Sequence, residues 1–193
     1  MPSSTLSPPS LVLALLLALP WLIAPAPVPD AVLYNQLAAV AAWGVWVASR
    51  GRADGWRVWP AVLALALCGA WAVQSGAALQ GGAVPVIAAA IVVLAVASAR
   101  PGADTASPVA LAFWLAGLCS AAAGMVQFAA PGLADGWLVA AGTTPGRAVG
   151  NLRQPNHLAT GLLCAVVMTA WLWQVGVLRA VTAAASIAAM LLA

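Results

Sequence analysis

Apolar residues along this chain come in long unbroken runs rather than in stripes or alternations. Several runs approach the ~20 residues that a bilayer core requires of a helix. They cover Ser10–Ala24, Ala31–Ser49, Val58–Ala78, Ala83–Ala99, Pro108–Ala130, Leu158–Val175 and Ala180 to the end. Strands of a membrane barrel would alternate polar and apolar residues, and these runs do not. Pro, Gly and Asp punctuate the connections, as in Pro25-Ala-Pro-Val-Pro29, Arg50-Gly-Arg-Ala-Asp-Gly55 and Arg100-Pro-Gly-Ala-Asp104. The pattern predicts an all-α, polytopic integral membrane protein. It has six transmembrane helices plus the start of a seventh, and residues 1–193 form one transmembrane helical domain.

Composition sharpens this picture by exclusion. Of 193 residues 64% are apolar and 6% charged, where a soluble domain carries about 25% charged residues to face water. A soluble enzyme, a DNA-binding module and a disordered tail are excluded. The formal net charge is +3, but the Arg residues are scattered singly through loops, so no nucleic-acid partner is expected. Cys68, Cys119 and Cys164 all lie inside apolar runs, an odd count that argues against a disulfide framework. A single His and no Glu leave no His/Glu metal cage; neither a metal nor a cofactor is expected. Trp21, Trp56, Trp59, Trp137 and Trp173 fall near predicted span ends, where indoles suit the headgroup region. Small residues four apart, Gly117/Ala121 and Ser120/Gly124, permit close helix approach.

Charge placement orients the chain. In the first run Leu11–Leu19 has the character of a signal-peptide core and Ala24-Pro25-Ala26 that of a cleavage site, but no Lys or Arg precedes it. Cleavage there would not change the later topology. With the N-terminus cytoplasmic, Arg50, Arg52, Arg57, Arg100 and Arg179 fall inside, and Arg147 and Arg153 outside. The connection Pro131–His157 then lies on the outer, periplasm-like face. The chain stops in Ala188-Ala-Met-Leu-Leu-Ala193, within an apolar run and without a polar flank, as the N-terminal part of a longer protein would.

One stretch, Thr143–Thr160, differs from the rest. Asn151, Arg153, Gln154, Asn156 and His157 fall within seven residues and abut an apolar span. Pro155 suits a first helical turn, and Asn156 would cap a helix starting one residue later. Free N–H groups and the positive helix end favour an anion there. Arg153, joined by Arg147, could grip phosphate oxygens bidentately. Gln154 and Asn156 can both donate and accept hydrogen bonds, and His157 can carry a proton. These residue types suit a lipid-linked phosphate whose tail lies in the bilayer. They would also make an ordinary interfacial cap, with Arg snorkelling to headgroups and Asn closing the helix. Tyr34, Asn35, Gln36, Gln74, Ser75 and Gln127 are weaker site candidates that read first as helix–helix hydrogen-bonding residues. Gln127 is close in depth to the polar stretch, and it and Gln74 are the two to test.

The segment Gly150-Asn-Leu-Arg-Gln-Pro-Asn-His-Leu-Ala-Thr160 resembles the signature of bacterial O-oligosaccharyltransferases. These are also called pilin glycosylation ligases and belong to the O-antigen ligase/polymerase superfamily. The resemblance covers about a dozen residues and implies a multi-pass inner-membrane enzyme acting on the periplasmic face. Such enzymes move a glycan from an undecaprenyl-diphosphate carrier to Ser/Thr of a pilin-like protein or, in the ligase branch, to lipid A core, without a metal. It implies diphosphate-binding roles for Arg147, Arg153, Asn151 and Asn156, the two Asn also shaping the loop. It makes Gln154 and His157 the catalytic candidates, orienting donor or acceptor. Family members continue through further spans and a large periplasmic loop with another His and Arg set, so residues 1–193 alone are expected to be inactive. O-antigen polymerase or lipopolysaccharide ligase activity remains an alternative within the superfamily. A transporter or flippase would instead place polar groups at mid-span helix breaks, and a non-catalytic membrane subunit would tolerate substitution at 147–157.

Overall fold

A computed structural model describes residues 8–22, 38–39, 41–43, 45–46, 103–140, 148–152 and 155–193. The chain forms two compact units, Met1–Ala31 with Ala103–Ala193, and Val32–Gly102. In the second unit the described positions between 38 and 46 are helical, and the Trp43 and Trp46 rings meet edge to face at 5.7 Å. The expected spans 58–78 and 83–99 lie outside the described residues.

The first unit contains α1 (Pro8–Leu22), α2 (Ala103–Ala129), α3 (Pro155–Gln174) and α4 (Ala180–Leu192), with a 3-10 turn at Pro131–Leu133. No strand occurs among the described residues, as the uninterrupted apolar runs require. Among the described residues two helical stretches, Ala106–Ala129 and Pro155–Gln174, are long and apolar enough to cross a membrane, where six spans were expected over the whole chain. At a rise of ~1.5 Å per residue, α1 and α4 are each shorter than a bilayer core. The second helix begins five residues before the expected Pro108, which is fully buried inside it. Pro108 is the sixth residue of this helix and, having no N–H, cannot donate the main-chain bond to residue 104.

Packing follows from small side chains. On α2 Ala121 joins Leu158, Leu162 and Ala165 of α3 and Met190 of α4 in one buried cluster. A second cluster joins Ala14 of α1 and Ala110 and Leu111 of α2 to Leu172 of α3. Gly117 sits where α2 crosses both α3 and α4. A Cβ placed there would lie 2.3 Å from Ala165 Cβ and 3.0 Å from Met190 Cε, closer than atoms approach. The Gly117/Ala121 spacing is therefore a contact seam. Polar links cross the helices as well: Trp114 Nε1 donates to Ser186 Oγ at 3.0 Å, joining α2 to α4.

The α3–α4 connection is encoded locally. Gly176 takes φ +78°, its N–H donates to Trp173 O at 3.0 Å, and Val177 N–H donates to Leu172 O at 2.9 Å. These two bonds form the glycine-terminated cap that satisfies the last helix carbonyls. Val177 also packs against the Leu172 cluster, the apolar contact that accompanies such caps. The chain then reverses into α4 from Arg179 in extended conformation.

The Gly117–Ala165 seam can be tested directly. Gly117→Ala should destabilise the full-length protein by about 1–3 kcal/mol through overpacking, read as a lowered thermal midpoint in detergent. Combining it with Ala165→Gly should restore part of the loss, because the two sites share one contact. Additive losses would disprove the contact.

Candidate functional site

The described part of the polar stretch is irregular backbone pressed against α2. Val149–Leu152 form a turn in which Leu152 N–H donates to Val149 O at 3.1 Å. Gly150 has φ +58°, and a Cβ there would meet Leu158 Cδ1 at 3.0 Å and Ser120 O at 3.3 Å. Both the left-handed conformation and the lack of space require glycine. Such backbone needs partners for its N–H and C=O groups when it lies among apolar side chains, and α2 supplies them.

Gln127 makes four hydrogen bonds to this backbone. Its Oε1 accepts from Val149 N–H at 2.8 Å and Gly150 N–H at 2.7 Å. Its Nε2 donates to Ala140 O at 2.5 Å and Gly150 O at 2.9 Å. Ala140 N–H donates to Gly150 O at 3.0 Å as well. One amide thus ties together the two flanks of residues 141–147. Two turns earlier on the same helix face, Ser120 Oγ donates to Asn151 Oδ1 at 2.8 Å. Asn151 Nδ2 in turn donates to the main-chain carbonyl of Trp21 at the end of α1. Asn151 is 3% exposed, so these bonds satisfy a buried amide that would otherwise be costly. Trp21 also stacks at a tilt on Phe113, centroids 5.6 Å apart, which fixes α1 against α2 at this level.

The connection between α2 and α3 has an organised turn of its own. Asp135 accepts from the N–H groups of Trp137, Leu138 and Val139 at 2.9, 2.9 and 3.0 Å, with Gly136 at φ +75°. The hydrogen bonds from Val139, Trp137 and Leu138 hold the Asp135 carboxyl below the usual carboxylate range. The side chains of Trp137 and Leu138 are exposed.

Downstream, α3 starts at Pro155, so Asn156 is a helical residue and not the cap. Pro155 has no N–H to leave unpaired, so it suits the first helical position. Asn156 lies inside the first turn, where its main-chain carbonyl accepts from Thr160 Oγ1 at 2.9 Å, an ordinary back-bond of a helical threonine. Asn156 and His157 are both exposed. Arg147, Arg153 and Gln154 lie outside the described residues, as do Tyr34, Asn35, Gln36, Gln74 and Ser75. No His/Cys/Asp/Glu group suited to a metal occurs among the described residues. Beside the motif an apolar cavity of about 420 Å³ is lined by Ala148, Pro155, Leu158, Leu162, Met190 and Leu191, among others.

The structure brings Asn151 together with Ser120, which was not a site candidate from sequence, and Val149 and Gly150 together with Gln127, which was a weaker one. Ser120 stood out only as a small residue, and Gln127 as a helix–helix bonding group. Their signal is positional: Ser120, Gly124 and Gln127 share one helix face at i, i+4 and i+7.

This segment also carries the likeness to known proteins. Residues 148–173 match the family described as protein glycosylation ligase. The match begins at Ala148, runs through the bound turn and ends near the end of α3, and it points to glycosyl transfer. No curated protein and no solved structure matches the chain.

Two outcomes follow from the buried bonds and the Asp135 turn. Asn151→Ala should cost the full-length protein more than Ser120→Ala, each about 1–3 kcal/mol, with strong coupling in the double variant; thermal unfolding measures both. The Asp135 acceptor is stabilising while ionised. Since its folded pKa is lowered, that contribution is present at neutral pH and is lost only as pH falls through the lowered value. Asp135→Ala should raise amide exchange at 137–139, and Asp135→Asn, which keeps an acceptor oxygen, should raise it less.

Proposed function

We propose that the protein is part of a membrane glycosyltransferase. It moves a glycan from an undecaprenyl-diphosphate carrier to Ser/Thr of a pilin-like protein on the periplasmic face of the bacterial inner membrane. The observation that carries this reading is the coincidence of the matched segment, 148–173, with the polar stretch that opens the apolar helix α3. A match described as a protein glycosylation ligase favours a protein acceptor over lipid A core. The multi-pass arrangement with a cytoplasmic N-terminus is part of the same proposal. Its support is the apolar surface of α3, of whose membrane-length window only 28% is buried. Leu163, Val167 and Trp173 are exposed on it, a surface suited to lipid and unlike the buried core helix of a soluble protein.

In the reaction the acceptor hydroxyl oxygen bonds to the anomeric carbon of the glycan. The bond from that carbon to the diphosphate oxygen breaks, and the hydroxyl proton passes to a base. Negative charge grows on the leaving diphosphate, so a cation placed there lowers the barrier. Arg153 takes that role, with Arg147 as a second cation. Gln154 and His157 orient donor and acceptor, His157 being able to take the proton. Asn156 shapes the first turn of α3 beside them. Asn151, bonded to Ser120 and Trp21, contributes to the diphosphate site through the shape of the loop. The cavity bordered by Ala148, Pro155 and Leu158 gives an apolar tail room next to the motif. Asn156 and His157 lie in the first turn of a helix and not at a mid-helix break, unlike a transporter's polar groups.

The test is substitution of Arg153 in the full-length protein, with glycosylated acceptor measured in cells at equal membrane abundance. Arg153→Ala should lower transfer at least a hundredfold. Arg153→Lys should remain well below the parent, because a point charge does not reproduce a bidentate fork. Unchanged glycosylation in both variants would remove the diphosphate role.

A further inference from the structure

We infer that Gln127 is a positioning residue for glycan transfer, acting through the backbone of Gly150 on the arginine that follows it in the motif; the inference rests on the function proposed above. Gln127 lies outside the matched segment 148–173 and on a different helix. Its amide is nonetheless saturated by that segment and its flank. Two N–H groups approach Oε1, from Val149 and Gly150, and two carbonyls approach Nε2, from Ala140 and Gly150. A residue serving only helix–helix adhesion would bond to one group on a neighbouring helix. Here every bond goes to main chain between α2 and α3, and Gly150 is held at both its N–H and its C=O.

The chemistry of the side chain is specific. Two donors and one twice-used acceptor are needed at the end of a two-methylene stem. Glu lacks the donors while ionised, Asn is one methylene short, and Met has the length without the bonds. Gly150 sets the direction of the turn that precedes α3, since its left-handed φ is allowed to few other residues. Arg153 follows three residues later. A shift of about 1 Å in a group that must meet a leaving diphosphate is enough to reduce a rate ~100-fold.

The experiment uses the full-length protein purified in nanodiscs, with undecaprenyl-diphosphate-linked glycan and an acceptor pilin peptide, scored per folded protein. Gln127→Met should lower kcat at least tenfold and change KM for the donor less than threefold. Gln127→Glu keeps the acceptor half and serves if the Met variant folds poorly. It should also lose kcat, and its activity relative to the parent should rise as pH falls and the carboxyl regains a proton to donate. Gly124→Ala is the control on the same helix face, since a Cβ there meets only ordinary contacts at 3.7 Å or more; it should retain activity. If Arg153→Ala abolishes transfer while Gln127→Met and Gln127→Glu keep the parental kcat and pH profile, the positioning role is overturned and the glycosylation reading stands. If Arg153→Ala retains parental transfer, the diphosphate role of Arg153 fails, and the positioning role of Gln127 that acts through it falls with it. If the parent protein itself transfers no glycan, the glycosylation reading fails.

Discussion

Irregular backbone among apolar helices must find its hydrogen-bond partners inside the protein, and this constraint organises the described unit. The turn at 149–152 has no sheet or helix ladder of its own. It is satisfied by one face of α2, where Gln127 engages Val149 and Gly150 and Ser120 engages Asn151. Losing either side chain would leave main-chain or amide groups unpaired in surroundings that penalise them. The polar residues of α2 are few, and those facing the turn are matched to it.

Close helix approach makes that matching feasible. Side chains as short as serine can bond across an interface only where the helix lies near its neighbour. Gly117 and Ala121 keep α2 close to α3, with Ala165 and Leu158 among their neighbours. The same proximity explains why Gly150 admits no side chain, because the Ser120 carbonyl and Leu158 occupy the space. Tight packing and polar satisfaction are therefore one arrangement seen from two sides.

Much of this was legible in the residues. Apolar runs located α1, α3 and α4 to within a few residues, and Pro155 marked the start of α3 because its chemistry fits only a few helix positions. The polar cluster at 151–157 was visible as an island in an apolar chain. The division of labour inside it was not. Asn151 and Asn156 look alike in sequence, yet one is buried in bonds to α1 and α2 while the other is exposed on the first helical turn. Which of the two would face inward depended on Ser120 and Trp21, 31 and 130 residues away, and no local pattern reports such distances. Gln127 was visible as a polar residue near the outer end of its span, but its target was main chain, which leaves no trace in side-chain spacing.

The bond between Asn151 and the Trp21 carbonyl also orders events during synthesis. A helix end leaves its last carbonyls without intrahelical partners, so α1 emerges with an open end. The α3–α4 hairpin closes on its own short turn at Gly176, whereas the open end of α1 waits for an amide encoded 130 residues later. α1 is made before α2 and is sealed only after it. Until Asn151 arrives, water, lipid headgroups or other protein must hold the place of its amide.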